Sequence, residues 1–205
     1  MDKKIIFATG NEHKMIEIRM ILKELGMPVE SMKEANIQVE VVEDGETFEE
    51  NSVKKAVEIA KYTQNCIVLA DDSGLEIDYL NKEPGIYSAR YAGVDTSYDI
   101  KNQLLLDRLE GVADEKRTAR FVCAITAVYP NGTVETVRGT MEGRIGHEII
   151  GSNGFGYDPI FFLPEYGCSS AQLDPEEKNK ISHRGKALRA MREMIEQKYA
   201  NTNCK

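Results

Sequence analysis

The chain has 205 residues, of which 29% are charged and 41% hydrophobic, a composition typical of an ordinary globular protein. Its formal net charge of −8, from 34 acidic and 26 basic residues, argues against a nucleic-acid partner, because the field of the whole protein repels polyanions. No run reaches the roughly eighteen apolar residues of a membrane span and the N-terminus lacks a signal-peptide pattern, so we expect a cytoplasmic protein with no membrane partner.

The first predicted element is a short buried strand that ends at Ala8, and a polar turn and a helix follow it. The turn is Thr9-Gly10-Asn11-Glu12-His13-Lys14, and the helix ends at Gly26 and Pro28. A strand, a turn and a helix start collect free backbone N–H groups at the positive end of the helix dipole, which favours phosphate. The turn is not a P-loop, because one glycine and the Ser/Thr after Lys14 are missing. A simple helix cap at Thr9 or Asn11 is the alternative interpretation.

The next stretch is acidic and leads into a helix predicted over 47–63. A second buried strand then runs from Cys66 through four apolar residues into Asp71 and Asp72, followed by a Ser73-Gly74 turn. Adjacent carboxylates at the end of a strand suit Mg²⁺, which takes oxygen ligands and shares them with substrate phosphates. They could equally cap the turn. The preceding carboxylates either reach the same metal or form a solvated face; they are Glu40, Glu43, Asp44, Glu46, Glu49 and Glu50.

The middle of the chain alternates short elements with turns. A half-exposed strand is predicted over 75–79, a helical turn over 88–93 and a helix over 98–109. Two long strands over 117–129 and 133–144 flank Pro130-Asn131-Gly132, the strongest short-range signal for a β-hairpin. We therefore expect a long twisted ribbon here. Four apolar residues near its end are candidates for either a dimer surface or the core: Met141, Ile145, Ile149 and Ile150.

A glycine-rich loop over 151–159 precedes another apolar run. Its glycine order does not fit the dinucleotide fingerprint, and no helix follows it. Phe155 and Tyr157 lie beside Asp158 in this loop, and aromatic faces can stack on a nucleobase, with a contribution of about 1–3 kcal/mol per base. Packing of both rings into the core is the alternative.

The C-terminal region contains two predicted helices and a frayed tail after Lys198. Pro175 begins the first helix, and His183 and Arg184 lie at the start of the second. Because basic residues are unfavourable at a helix N-terminus, their presence indicates an anionic or carbonyl-bearing ligand. The chain's cysteines show no CxxC spacing, which argues against a zinc site and indicates thiols in a reducing compartment; they are Cys66, Cys123, Cys168 and Cys204.

Six motifs in register closely resemble the inosine triphosphate pyrophosphatase family, the XTP/dITP diphosphatases. They are Thr9-Gly10-Asn11 with Lys14, Thr47-Phe48-Glu49-Glu50-Asn51, Ala70-Asp71-Asp72-Ser73-Gly74-Leu75, the Pro84 to Gly93 segment, Phe155-Gly156-Tyr157-Asp158-Pro159, and Glu177-Lys178-Asn179 with Ser182-His183-Arg184. The resemblance implies an elongated two-lobed α/β structure, with a long mixed twisted sheet flooring a central cleft, over residues 1–205 as one domain. It also implies a homodimer.

The activity implied by the resemblance is Mg²⁺-dependent hydrolysis of a deaminated purine nucleoside triphosphate to the monophosphate and pyrophosphate. Carried over by residue, it makes Thr9, Asn11 and Lys14 triphosphate ligands within the substrate-binding turn 9–14, and Asp72 a metal ligand and general base. Ser73 lies beside the substrate, the loop from Phe155 through Gly156 and Tyr157 to Asp158 holds the base, and the pocket is completed by Lys178, His183 and Arg184.

One position departs from the family pattern. Many members have a metal-binding Glu three residues before the glycine at position 45, where this chain has Val42. Glu43 or Glu40 then supplies that carboxylate, or the metal relies on Asp71, Asp72 and phosphate oxygens.

Base selection requires a donor for the 6-oxo group, and Arg184, with its planar fork of donors, is the predicted reader, helped by His183. Arg184 alone does not exclude GTP, which also has a 6-oxo group.

Two other functions are compatible with these residues. One is a Mg²⁺-dependent nucleotide hydrolase of different base preference, which a substrate panel separates. The other is a nucleotide-binding sensor without turnover, against which the carboxylates at the phosphate end argue.

Overall fold

The computed structural model describes residues 4–200 and confirms the predicted α/β class. Within this part of the chain, five α-helices accompany one sheet of seven strands. The helices are α1 (Glu12–Leu22), α2 (Phe48–Ala60), α3 (Tyr98–Arg108), α4 (Pro175–Ile181) and α5 (His183–Ala200). The strands are β1 (Ile5–Phe7), β2 (Val29–Ser31), β3 (Ile67–Ile77), β4 (Thr118–Val128), β5 (Val134–Ile145), β6 (Phe161–Leu163) and β7 (Cys168–Ser169). None of these helices has the length and apolar character needed to cross a bilayer.

The sheet is mixed, with strand order β2-β1-β3-β4-β5-β6-β7. Strand β1 runs parallel to both β2 and β3, and Ile5 lies opposite Val29 on one side and Ile67 on the other. At the other end, β6 is antiparallel to β5 and β7. Parallel pairing at one end and antiparallel pairing at the other match the predicted mixed sheet.

The described chain divides into two compact units. Unit 1 takes residues 4–72, 123–139 and 184–200, and unit 2 takes residues 73–122 and 140–183.

Strand β1 and the first part of β3 are buried on both faces. Side chains alternate between the two faces of a β-strand. Ile5, Phe7, Ile67 and Leu69 face one core cluster, where they pack with residues of α1 and α5. Ile6, Ala8, Val68 and Ala70 face a second cluster with residues of α2. This alternation determines on which face each following residue of β3 lies.

Strand β3 continues for 11 residues through Asp71, Asp72, Ser73 and Gly74, so the predicted Ser-Gly turn is wrong. Local turn propensity was overridden because β3 is an inner strand, with β1 and β4 as neighbours on its two sides. The strand predicted to end at Asp72 and the strand predicted over 75–79 are therefore joined in β3, which ends at Ile77.

Other predicted elements are confirmed. Gly26 ends the first helical segment in the left-handed conformation, with φ of 63°. Between β4 and β5, Gly132 has φ of 82° and its N–H donates to the Tyr129 carbonyl over 2.8 Å, as expected for the hairpin. Strands β2 and β7 were not predicted, and at three and two residues they are too short to show a period. The tail predicted after Lys198 lies mostly at 201–205, outside the described residues.

Candidate active site

The polar turn after β1 begins α1 with side-chain caps. Asn11 Oδ1 accepts a hydrogen bond from Lys14 N over 3.2 Å, and Thr9 Oγ1 accepts one from Asn11 N over 3.1 Å. The capping interpretation therefore holds for Asn11, whereas the Thr9 hydroxyl supports the turn before the helix. Gly10 and Glu12 are exposed, and the side chain of His13 lies outside the described part of the structure.

The turn borders open space on which a ligand can bind. Thr9, Gly10 and Asn11 line a cavity of about 660 Å³ that Glu43 and Lys55 also border. A β-carbon built on Gly10 would meet nothing within 4 Å. The turn thus exposes backbone groups at the start of a helix, the arrangement that suits phosphate.

Asp71 is fully buried and surrounded by positive charge. Lys14 Nζ donates to Asp71 Oδ2 over 2.9 Å, and Arg184 Nε lies 3.6 Å from the same oxygen. Burial alone would raise the pKa of Asp71, but Lys14, Arg184 and Lys55 outweigh it and hold that pKa well below its ordinary value. Asp71 is therefore ionised and committed to these cations.

Arg184, the predicted reader of the 6-oxo group, is only 3% exposed. Its Nη1 donates to Glu17 Oε2 over 2.6 Å, while Nε faces Asp71. Two of its nitrogens thus face carboxylates. Lys14, Glu17, Asp71 and Arg184 form a charge cluster where the positive end of α1 meets the start of α5.

Asp72 follows Asp71 in β3 and lies on the opposite face, toward α2. Asn51 Nδ2 donates to Asp72 Oδ2 over 3.0 Å, and Asn51 Oδ1 accepts from Gly45 N over 2.8 Å. Burial raises the pKa of Asp72 to about 6; the Asn51 hydrogen bond opposes this, and the negative charge of Glu43 adds to it. A carboxyl group that titrates near neutral pH is suited to proton transfer.

Lys55 links the backbone of β3 to the Glu43 carboxylate. Its Nζ donates to the Asp71 backbone carbonyl over 2.9 Å and lies 2.7 Å from Glu43 Oε1. Burial lowers the pKa of Lys55, but the negative charges of Asp71, Glu43 and Asp72 outweigh this and raise it. Lys55 therefore remains a cation beside Asp72.

Within residues 4–200, no three His, Cys, Asp or Glu side chains are grouped closely enough to hold a metal ion alone. Mg²⁺ does not require such a group, because it is commonly bound by one or two carboxylates, substrate phosphates and water. Glu43 provides one such carboxylate at the border of the cavity, and Asp72, whose pKa the charge of Glu43 raises, provides a second close to it. Their mutual repulsion, visible in the raised pKa of Asp72, is what a bound cation would relieve.

Unit 2 contains the predicted loop over 151–159, whose central residue is Asp158. Asp158 Oδ2 accepts from Lys178 Nζ over 2.6 Å and from Phe155 N over 2.8 Å, and Oδ1 accepts from Ser170 Oγ over 2.9 Å. Gly154, with φ of 77°, is required here, since a β-carbon would lie 2.3 Å from Asp158 Oδ2. The buried ion pair of Asp158 and Lys178 therefore fixes the conformation of the loop.

The two aromatic residues of this loop differ in exposure. Phe155 is half-buried with Lys178 Nζ 5.6 Å from its ring centre. Tyr157 is buried in the core of unit 2, as the packing alternative has it, and its hydroxyl donates to the Ser88 carbonyl over 2.7 Å. Two predicted residues remain in unit 2. The ring of His183 stacks on that of Phe121 with 4.9 Å between the ring centres, and Ser73 is half-buried in β3.

Three residues that contact the charged side chains of this site were not assigned a role from sequence: Glu17, Asn51 and Lys55. Asn51 and Lys55 are four residues apart on α2 and so share a helix face, a signal that is present in the sequence. Asn51 also ends one of the six recognised motifs.

Comparison with known proteins gives a consistent result. Residues 5–194 match the model of the Ham1 family. A protein from Clostridium perfringens named dITP/XTP pyrophosphatase is 48% identical over 198 residues, covering 94% of this chain and 97% of its own. One of the same name from Exiguobacterium sibiricum is 50% identical over 188 residues, covering 92% and 94%. The solved Ham1 protein of Staphylococcus aureus has a TM-score of 0.86 at 40% identity, covering 96% of this chain and all of that one.

Proposed function

The chain belongs to the Ham1 family, as its motifs predicted, and on this premise we propose that it hydrolyses deaminated purine nucleoside triphosphates. The substrates are dITP, XTP and ITP, and the products are the nucleoside monophosphate and pyrophosphate. Nearly full-length relatives at 48% and 50% identity are named for this activity. The observation on the molecule that supports it best is the contrast between Asp71 and Asp72, one carboxylate held ionised and the next with a raised pKa.

Asp72 is the proposed general base. Water attacks phosphorus, the anhydride bond between the α- and β-phosphates breaks, pyrophosphate leaves, and Asp72 takes the proton from the water. In the cation-free protein, a pKa of about 6 makes this carboxylate mostly ionised at pH 7 and more basic than an ordinary aspartate. Asn51 holds the carboxylate in place, and Gly45 holds Asn51.

The charges of unit 1 require a further cation when a triphosphate binds. Lys14, Lys55 and Arg184 are already paired with Asp71, Glu43 and Glu17. A triphosphate adds about four negative charges, which preorganised cations and donors must neutralise. The lysines and turn amides alone are not enough, because the cluster starts close to neutral.

We assign a divalent cation, Mg²⁺, to Asp72 and Glu43. When bound, the cation supplies charge neutralisation at the phosphates and lowers the pKa of water. Asp71, predicted as a third ligand, is better described as the residue that positions Lys14 and Arg184, since it is fully buried against both. Glu43 takes the place of the family's Glu at the position of Val42.

In this proposal Arg184 neutralises Asp71 and Glu17. The loop over 151–159 in unit 2 recognises the base instead. There, Phe155 offers a partly exposed ring for stacking, and Lys178, held by Asp158, offers a cation beside it.

The test is ITP hydrolysis with pyrophosphate and orthophosphate measured separately, with and without EDTA. We expect pyrophosphate as first product, loss of turnover in EDTA, and recovery with Mg²⁺. Asp72→Asn is expected to abolish turnover, and Asp44→Asn, a matched change at an exposed carboxylate paired with Lys54, is expected to retain it. Orthophosphate as first product, or near-normal rates for Asp72→Asn, would contradict the proposal.

Two further parts of the proposal concern the protein's setting. We propose that it acts on the cytoplasmic nucleotide pool, where its substrates arise. We also propose a homodimer, as the family resemblance implies, with exposed Ile149 and Ile150 as candidates for its surface. Sedimentation analysis of the wild type and of an Ile149→Asp variant checks the dimer, because a charge at the interface would shift the variant toward monomer.

A further inference from the structure

Helix α3 buries polar side chains against two loops of unit 2. Lys101 Nζ donates to the Ala89 carbonyl over 2.7 Å, and Asn102 Nδ2 donates to the Gly156 carbonyl over 3.1 Å. Both side chains are almost inaccessible, Lys101 at 1% and Asn102 at 0% exposure. A helix in a small unit gains more from apolar residues at such positions, so these two call for a specific explanation.

Asn102 is unfavourable for stability as it stands. Its Oδ1 is buried and accepts no hydrogen bond from any group within residues 4–200. A buried acceptor without a partner is destabilising, and replacing such an amide by an apolar side chain of the same shape is nearly neutral or stabilising. The benefit of Asn102 must therefore come from its single bond, the one to the Gly156 carbonyl.

Gly156 lies in the loop proposed to hold the base, next to Phe155. It has φ of 72°, and its Cα faces the ring of Tyr98, which a β-carbon would meet at 3.6 Å. Asn102 and Tyr98 thus turn this residue and its carbonyl toward α3. The carbonyl oxygen has two lone pairs, but its direction toward the fully buried Asn102 amide turns it into the protein rather than toward a ligand.

We propose that Asn102 is a positioning residue for base selection, an inference that rests on the proposed function. By engaging the Gly156 carbonyl, it withdraws an acceptor that would otherwise form a hydrogen bond with an exocyclic amino group. Adenine has such a group at position 6 and guanine at position 2, whereas hypoxanthine has neither. Selection against GTP, which a donor to the 6-oxo group cannot achieve, then follows from an acceptor that is kept turned toward α3.

The test compares kcat/KM for ITP, GTP and ATP in Asn102→Leu and wild type, by pyrophosphate release. We expect the GTP/ITP and ATP/ITP ratios to rise by about tenfold, as for one hydrogen bond gained by the wrong base, with no fall in Tm. Gln103→Leu is the control, because Gln103 is exposed on the same helix and its side-chain amide donates to Asp107, and the ratios of this variant are expected to stay at the wild-type values.

A parallel fall of all three substrates, or unchanged ratios, in a folded Asn102→Leu protein would overturn the proposal. Asn102→Ala removes the donor without adding bulk and must shift the ratios in the same direction, so the inference remains testable if leucine does not fit. Failure of the proposed function is seen separately, in the wild type, as absence of pyrophosphate release from ITP.

Discussion

Replacing Asp72 with asparagine is expected to stabilise the cation-free protein while it abolishes turnover. The pKa of Asp72 is raised from 3.8 to about 6 by burial and by Glu43, so its ionised form is less favourable in the folded than in the unfolded chain. That difference corresponds to about 3 kcal/mol of folding free energy at neutral pH. Asparagine removes the charge and keeps an oxygen that accepts the hydrogen bond from Asn51.

The direction of the pKa shift of Asp72 determines how the stability of the wild type changes with pH. A raised pKa in the folded state means that the stability contributed by the protonated group is complete below pH 3.8 and is lost as pH rises through about 6. The advantage of Asp72→Asn is thus expected to be about 1 kcal/mol at pH 4.5 and about 3 kcal/mol at pH 7.5, where it raises Tm by about 5–10 °C.

Urea unfolding in EDTA at several pH values measures this advantage. Adding Mg²⁺ provides an internal check, because a cation at Asp72 and Glu43 stabilises the wild type more than the variant. A variant no more stable than wild type at pH 7.5, or a stability difference independent of pH, would refute the inference that the pKa of Asp72 is raised in the folded protein.

Three further changes test the surroundings of this group. Asp71→Asn is expected to destabilise the protein by about 3–5 kcal/mol near pH 7, because it removes the buried carboxylate that Lys14 and Arg184 share; since the pKa of Asp71 is lowered, the loss shrinks as pH falls below about 4, and urea unfolding at two pH values checks it. Gly45→Ala places a β-carbon 2.8 Å from Asn51 Oδ1 and is expected to lower kcat on the order of 100-fold with the fold retained, by steady-state kinetics and circular dichroism. Arg184→Ala is expected to lower ITP and ATP hydrolysis in parallel; a raised ATP/ITP ratio would restore Arg184 as the reader of the base.

Local patterns predicted much of the fold. The helix from Glu12, the Asn-Gly hairpin and the helix beginning at His183 follow from capping residues, turn chemistry and periodicity within a few positions. Strand β3 was misjudged at Ser73-Gly74, because a turn signal there competes with pairing to β1 and β4, and pairing partners far along the chain are not visible locally.

The site was predicted less completely than the fold. The sequence predicts the residues of the turn, Asp71, Asp72 and Arg184 as site residues, and these stay predictions. It assigns no role to Asn51 and Lys55, because their contacts depend on which face of α2 meets the sheet. The division of roles between the two aspartates also required the structure, since it depends on β3 continuing past them as a strand.

That continuation explains how two adjacent carboxylates acquire different chemistry. In an extended strand, consecutive side chains point to opposite faces, so Asp71 enters the face of α1 and α5, with Lys14 and Arg184, while Asp72 enters the face of α2. One environment lowers a pKa and the other raises it, and such a separation is what assigns distinct roles to a pair of like groups.

The register of β3 against β1 therefore matters for catalysis as well as for packing. Ile67 pairs with Ile5 and Leu69 with Phe7, and the apolar alternation of both strands holds this register because a slip of one residue would turn every side chain to the other face. The same slip would place Asp71 beside Asn51 and Asp72 among the cations. The apolar residues before the two aspartates thus determine which of them becomes the base.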